Sequence, residues 1–480
     1  MTSTSSLISL SKDIKELQKT QNEPSWMLEA RQSAADNYFS LPEEVSLLYT
    51  KYSNANKLDA SKVVFGKDND SSYDTSNDDY QDFVHRLDEL ERGLGLIKIG
   101  SKIEKIFLPD KYSKKGIVIS SMDDALSSYS DILKSCWDKN KLDFSEDKYL
   151  ALVSAFFQTG IFIYIPKNEV LDIPIRIINS MPKSGLSSIS RSLFFSEKNS
   201  KASIVQELYS PKISDNENSR QQTLFELVEC HVNDNSNLEM VTFQALDKNA
   251  INFSNRKAFV ERDAKISWYL GLLGANLSRY KIDSIMKGQG SSAEDLEIIF
   301  GMDNQSFDVT SNLIHVNKNT KGRVLVKSVM KDTSQSLFKG MIKITKEGQL
   351  TESYLAGHAI LLDKGAKSDA IPGLEIEANE VKATHSASVT QLDETQLFYL
   401  MCRGLTKELA QREIVNGFLE PLSRRMGPDI RAYINYLIEN KWNNKPLLLK
   451  TDEAMEQILE VEKTRYREVE DIFEKHYKYR

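Results

Sequence analysis

"KISWYLGLLGANLSRYKIDSIMKG" (residues 265–288) sets short β-branched and aromatic runs between Gly and Asn breaks, which is strand chemistry punctuated by turns. Its neighbours turn it into a repeat. Small residues that follow turn formers recur at Ser236, Ala264, Ser292, Gly322 and Gly348, separated by 28, 28, 30 and 26 residues. Each interval holds two or three short strand patterns. A period of roughly 20–50 residues marks solenoids and propellers. Three strands per period fit one coil of a parallel β-helix, with the small residues at tight corners. A β-sandwich with evenly spaced hairpins gives the same spacing, so periodicity leaves both open.

Outward from the repeat the texture changes twice. "TGIFIYIPKNEVLDIPIRIIN" (159–179) extends the strand chemistry toward the N-terminus, and residues 183–222, rich in Ser, Asn and Lys, read as long exposed loops. Residues 1–65 carry helical spacing, including "PSWMLEARQSAADNYFSLPEE" with Trp26, Leu28, Ala34 and Phe39. The acidic, turn-rich stretch 66–82 reads as a linker or surface loop. Helices are predicted again in "FVHRLDELERGL", "SMDDALSSYSDILKSCW" and "SEDKYLALVSAFF", the last with Ser145 as its cap. After Asp393, a cap candidate, the pattern is helical, with a stop at Gly404 and a restart at Thr406. "AMEQILEVEKTRYREVEDIFEKHYKYR" closes the chain as a charged amphipathic helix. The predicted organisation is an N-terminal helical region (1–157), a β region (158–392) and a C-terminal helical region (393–480).

A chain of 480 residues is too long for one compact core, so it holds two or three domains or one elongated array. A net charge of −7 argues against nucleic-acid binding, which needs a basic face. No run of eighteen apolar residues predicts a membrane helix, and the N-terminus lacks the pattern of a signal peptide. Cys136, Cys230 and Cys402 are scattered, which suits a reducing cytoplasm and excludes a self-contained cysteine cluster. Any metal chemistry must borrow ligands.

Phosphate loops, GxSxG elbows and HExxH helices are missing. Glu375 and Glu377 are spaced to share a strand face, as the acids of a β-helix polysaccharide enzyme would be, or they are simply solvated. In "VKATHSAS" alternation puts Val381, Ala383 and His385 on one face and Lys382 and Thr384 on the other. That predicts a core-side or interface-side histidine, and a buried structural role and a ligand role both fit. His231, His315 and His358 read as structural strand histidines. Cys230 and His231 are strand neighbours that point to opposite faces, a poor ligand pair.

Three stretches together are similar to the SufB/SufD family of iron–sulfur cluster assembly proteins. They are "EPSWMLEARQSAADNYFSLP" with Trp26 and Arg31, "GIFIYIPKNEVLDIPI", and the block "LLDKGAKSDAIPGLEIEANEVKATHSASVTQLDETQLFYLMCRGLTKELAQREIVNGFLEPL". The resemblance implies a central right-handed parallel β-helix flanked by N- and C-terminal helical regions, a mixed α and β fold. It implies a non-enzymatic, cytoplasmic scaffold that pairs with a SufB-like subunit through the β-helix. A SufC-like ABC ATPase would bind the C-terminal helical region, with Phe398, Leu400, Leu405, Ile414, Val415 and Phe418 forming the mostly buried face behind that contact. The small residue after His385 and the run "IPGLEIEANEV" look SufD-like, and that branch's proposed cluster ligand carries over onto His385. Ala383 stands where the family often has cysteine, and Gly365 and Ala366 lie where a SufB-like chain has its thiolate. The implied cargo is a transient Fe–S cluster shared with the partner subunit. Cys402 reads as a small buried hydrophobe. Alternatives are a SufB-like scaffold working with the ATPase alone, a polysaccharide-active β-helix and a plain interaction solenoid. Flavin use, homodimer formation and the role of the 440–480 tail stay open.

Overall fold

The computed structural model describes residues 5–11, 23–45, 55–66, 83, 86–182, 184–210 and 220–457. Apart from Gly66, the predicted acidic linker lies outside the described residues, as does most of the closing helix, of which 454–457 are helical. Two compact units are present, Met1–Gly404 and Leu405–Arg480.

In the first unit a short antiparallel pair, β1 (Ser5–Ser6) and β2 (Val64–Phe65), precedes two long sheets. The sheets start with β3 (Leu94–Ile99), β4 (Lys102–Phe107) and β5 (Val118–Ser121). The chain then alternates between the sheets. The nine-stranded sheet takes β6 (Ile161–Ile165), β8 (Ser188–Ser196), β10 (Thr223–Val232), β12 (Ile251–Val260), β14 (Leu277–Met286), β16 (Ser306–His315), β18 (Gln335–Ile344) and β20 (Lys367–Ile376) onto β5. The ten-stranded sheet takes β7 (Ile175–Ser180), β9 (Lys201–Tyr209), β11 (Asn237–Ala245), β13 (Lys265–Leu272), β15 (Ser292–Gly301), β17 (Lys321–Met330), β19 (Thr351–Leu361) and β21 (Val381–Gln391) onto β3 and β4. Apart from the antiparallel pairs β3–β4 and β5–β6 at the N-terminal end, neighbouring strands within each sheet are parallel and in register: Asn237 pairs with Lys265, Lys265 with Ser292, and Ser292 with Lys321. Offsets of 28, 27 and 29 residues, with parallel pairing, make a β-solenoid and exclude the sandwich. Its coils have two strands of about ten residues, not the three short ones the period suggested.

The corners explain the period. Asn199, Asn235, Asp263 and Asn319 adopt φ of 59°, 56°, 55° and 58°, and each is followed by a buried small residue: Ser200, Ser236, Ala264 and Thr320. Asn and Asp tolerate the left-handed conformation that closes the corner, and the small residue tucks beneath the next coil. Ser236 and Ala264 are the expected corners. Ser292 and Gly322 lie inside β15 and β17, one and two residues past the buried corners Ser291 and Thr320. The corner near Gly348 is occupied by Leu350, at φ 59° and 54% exposed. Leucine meets the same Cβ–carbonyl crowding there as Asn but lacks the short polar side chain whose local hydrogen bonds offset it. Leu350→Asn is therefore expected to stabilise the chain by about 0.5–1 kcal/mol, read as a higher unfolding midpoint. An unchanged or lowered midpoint would count against this account of the corner.

Two other expectations need correction. Residues 183–222 are not mainly loop, since β8 and β9 run through them, and Ser188, Ser190, Ser192 and Ser196 are buried. Serine inside a solenoid binds its neighbours, as where Ser192 Oγ accepts from Ile161 N (3.2 Å). Likewise β3, β4 and β5 precede residue 158 yet belong to the solenoid sheets, and the helix Glu394–Cys402 falls within the first unit.

Apolar residues collect in two cores. One fills the solenoid, with Met240, Trp268, Ile282, Phe338 and Leu355. The other lies on the outside of the nine-stranded sheet, where Phe225 and Phe253 pack with the N-terminal helices. Covering both faces leaves every residue of β10 and β12 buried. The helix Lys148–Phe156 is entirely buried apart from its first residue. Its cap is Asp147, which accepts from Tyr149 N and Leu150 N and receives Arg279 at 2.6 Å, while Ser145 turns back to Asp143. In the second unit Thr406 caps the helix Lys407–Ser423, and Pro428–Trp442 follows.

Candidate functional site: the open end of the solenoid

Parallel, in-register stacking puts inward positions of successive coils into columns. One runs Met240, Trp268, Asp295, Val324, Leu355, His385. Its members up to Leu355 are buried, and His385 is exposed. Alternation had the face right: Val381 and Ala383 pack on the solenoid core. Of the two positions left open for His385, core-side and interface-side, it is not buried, because β21 is the last strand of its sheet among the described residues and no coil covers it. The same happens in β20, where Leu374 and Ile376 continue the columns of the fully buried Ile342 and Ile344 but are 38% and 40% exposed. The solenoid therefore ends on an uncovered slice of its own interior, on which Leu374, Ile376 and Val389 stand exposed with His385.

The outward side of β21 is pinned. The Tyr354 hydroxyl and Ser386 Oγ lie 3.1 Å apart, and His358 Nδ1 and Ser388 Oγ are 2.7 Å apart. Burial, with Lys327 adding to it, lowers the His358 pKa below the ordinary imidazole value. The His385 side chain has no hydrogen bond or ion pair with another described residue. It is held by its strand and remains available on its ring.

The other candidates separate cleanly. His315 lies inside the solenoid between Thr320 Oγ1 (2.8 Å) and Ser353 Oγ (2.9 Å), and burial lowers its pKa to about 3. His231, on the outside of the nine-stranded sheet, sits 3.0 Å from Asn140 Nδ2 between the rings of Phe195 and Phe259, its pKa lowered to about 4 by burial. Cys230 belongs to the solenoid core, so the two neighbours do point apart. Burial pushes the Cys136 and Cys230 thiols upward, away from thiolate chemistry. Glu375 and Glu377 are exposed, and Glu375 pairs with Lys343 at 2.6 Å, which is the solvated reading.

Cys402 is exposed rather than buried. It belongs to the helix Glu394–Cys402, which buries only Leu397 and leaves Phe398 68% exposed along with Tyr399 and Met401. Of the apolar residues expected to be core, Val415 is buried and Leu400, Leu405, Ile414 and Phe418 are half-buried. Among the described residues no three His, Cys, Asp or Glu side chains converge to hold a metal ion. Ala383, Gly365 and Ala366 supply no thiol near the open end. Also among the described residues, no helix is long and apolar enough to cross a membrane.

One exposed imidazole on an uncovered apolar coil is a fraction of a site. Comparison with known proteins gives that fraction a context. Residues 178–418 match the family described as "SUF system FeS cluster assembly, SufBD core domain", and residues 1–177 match "SufBD protein N-terminal region". An "Iron-sulfur cluster assembly SufBD family protein" of Staphylococcus epidermidis is 24% identical over 435 residues, covering 89% of this chain and 91% of that relative. Proteins of the same family from Staphylococcus haemolyticus and Staphylococcus aureus match with the same identity and coverage. With the solenoid, its flanking helices and both family regions in agreement, the chain belongs to the SufBD family of iron–sulfur cluster assembly proteins.

Proposed function

We propose that this chain is the SufD-like scaffold subunit of a SUF-type assembly complex, pairing at its open coil with a SufB-like subunit and through its C-terminal helical region with a SufC-like ATPase. The observation that carries the reading is His385 at the end of a buried column, exposed only because the stack stops. A second solenoid docked on that end would cover Leu374, Ile376 and Val389 and bring its own ligands beside the imidazole. The nascent cluster is cargo, and this chain performs no reaction of its own. A neutral imidazole can replace a thiolate on one iron, as Rieske centres show, and it binds more weakly than thiolate. That suits a cluster meant to leave. Cys230 inside the solenoid and Cys136 on the helix Ser130–Lys139 are both buried, so the partner would supply the sulfur ligands. Phe398, Tyr399 and Met401, exposed on one short helix, suit a protein contact.

The test is co-expression with SufB-like and SufC-like partners, anaerobic purification, and reconstitution with iron and sulfide. His385→Ala is expected to leave the complex assembled and its iron content and cluster absorbance several-fold lower. Equal loading of an intact complex would remove His385 from the site. Absence of any complex would remove the SufD-like assignment.

A further inference from the structure

Inside the solenoid, Asp295 and Glu297 occupy adjacent inward positions of β15, and both are buried. A carboxylate pair in such a place needs a cation, and the nearest one is committed elsewhere. Arg256 of β12 donates through Nη2 to Glu226 Oε1 (2.9 Å) and Gln206 Oε1 (3.0 Å), through Nη1 to Thr242 Oγ1 (2.7 Å), and through Nε to Ser254 Oγ (3.1 Å). From the other elements packed around the pair come Ser311 of β16, which donates to Glu297 Oε1, and the Tyr280 hydroxyl of β14. Trp268 and Leu270 stack on one side, Val324 and Val326 on the other. Asp295 Oδ1, Glu297 Oε2 and the Tyr280 hydroxyl make no hydrogen bond. Two full negative charges cannot be sustained there, because burial without a dedicated cation costs more than proton retention.

We propose that Asp295 and Glu297 form a proton-sharing carboxyl pair that acts as an alkaline release inside the solenoid. With its proton the pair is one proton-sharing unit on the inner face of β15. Without it, two like charges face each other across adjacent positions of one strand, and β15 loses its place in the stack. Since β17, β19 and β21 are laid in sequence on β15, the coils that follow it, including the one that carries His385, loosen with it.

Burial raises both carboxyl pKa values, with the Asp295 charge adding to the rise at Glu297. The sign follows. A folded pKa above the unfolded value of about 4 gives stability that is present below that pH and is lost as pH rises toward the folded pKa. Over that window each retained proton lowers the folding constant about tenfold per pH unit.

Urea unfolding of the full chain at mildly acidic, neutral and alkaline pH tests the pair in wild type, Glu297→Gln and Asp295→Asn. Wild type is expected to lose stability as pH rises, and Glu297→Gln to show a shallower decline, so that its folding constant exceeds the wild-type value at alkaline pH by tenfold or more. A purely structural role would shift all pH values equally, and parallel curves would overturn the proposal. The infrared carbonyl band of a protonated carboxyl, present in wild type at neutral pH and lost when Asp295→Asn and Glu297→Gln are combined, gives a readout that does not depend on unfolding. Its absence from wild type would overturn the proposal as well.

Discussion

Arg31→Ala is expected to cost about 3–5 kcal/mol of stability, because it strands a buried carboxylate and two buried carbonyls at once. Arg31 is buried within the helix Ser25–Ser40. It forms a two-point bond with Glu23 (2.7 and 2.8 Å) and donates to Ala155 O (2.8 Å) and Phe157 O (3.1 Å). Its guanidinium also lies 3.6 Å from the centre of the Phe157 ring. These contacts tie the N-terminal helix to the end of the buried helix Lys148–Phe156, which covers the nine-stranded sheet. Lysine keeps the charge but offers neither the fork nor the flat face, so Arg31→Lys should recover only part of the loss. Denaturant unfolding of the two variants beside wild type measures this. A loss under about 1 kcal/mol for alanine would mean that the helix is held by its apolar contacts with the sheet, not by the guanidinium.

What could be read in advance divides along a physical line. Local rules worked where the cause was local. Asp393 accepts from Thr395 N and Gln396 N as a cap should, Gly404 takes φ 93° at the helix stop, and Thr406 restarts the next helix. The solenoid period was legible because its corners recur. The stronger corner signal is the left-handed Asn or Asp before the small residue, which is why two expected corners fell inside strands. Failures came where position in the stack decides. His385 and Leu355 share a column, yet only the order of coils says that one is last. The serines of β8 look like loop residues because composition cannot show that they face one another inside a coil. Strands β3 and β4 were missed for a related reason: "LGLIKI" and "KIEKIF" sit among helical patterns, and only the pairing of β3 with β7 and of β4 with β3 assigns them to the sheet.

Arg86→Met is the second large loss, and it should reverse the pH dependence of one buried acid. Glu207 of β9 is fully buried on the outward face of its sheet, where Arg86 holds both its oxygens at 2.8 and 2.9 Å. Tyr209 donates to the same carboxylate, and Arg176 stands 3.8 Å away. Burial pushes the Glu207 pKa up, but Arg86 and its hydrogen bonds overcome that, and the net pKa lies below the usual carboxylate range. In wild type the pair therefore contributes stability above the unfolded pKa of about 4.3, lost as pH falls through the lower folded value. Without Arg86 burial dominates and the folded pKa rises. The contribution then has the opposite sign, present in acid and lost as pH climbs. The gap between wild type and Arg86→Met should be about 3–5 kcal/mol near neutral pH and should narrow toward pH 4. Glu207→Gln in the Arg86→Met background removes the orphaned charge and should restore most of the neutral-pH stability. Unfolding curves for the three proteins across this range decide it. A pH-independent gap, or a double variant no better than Arg86→Met, would show that Arg86 acts by packing and not by compensating a buried charge.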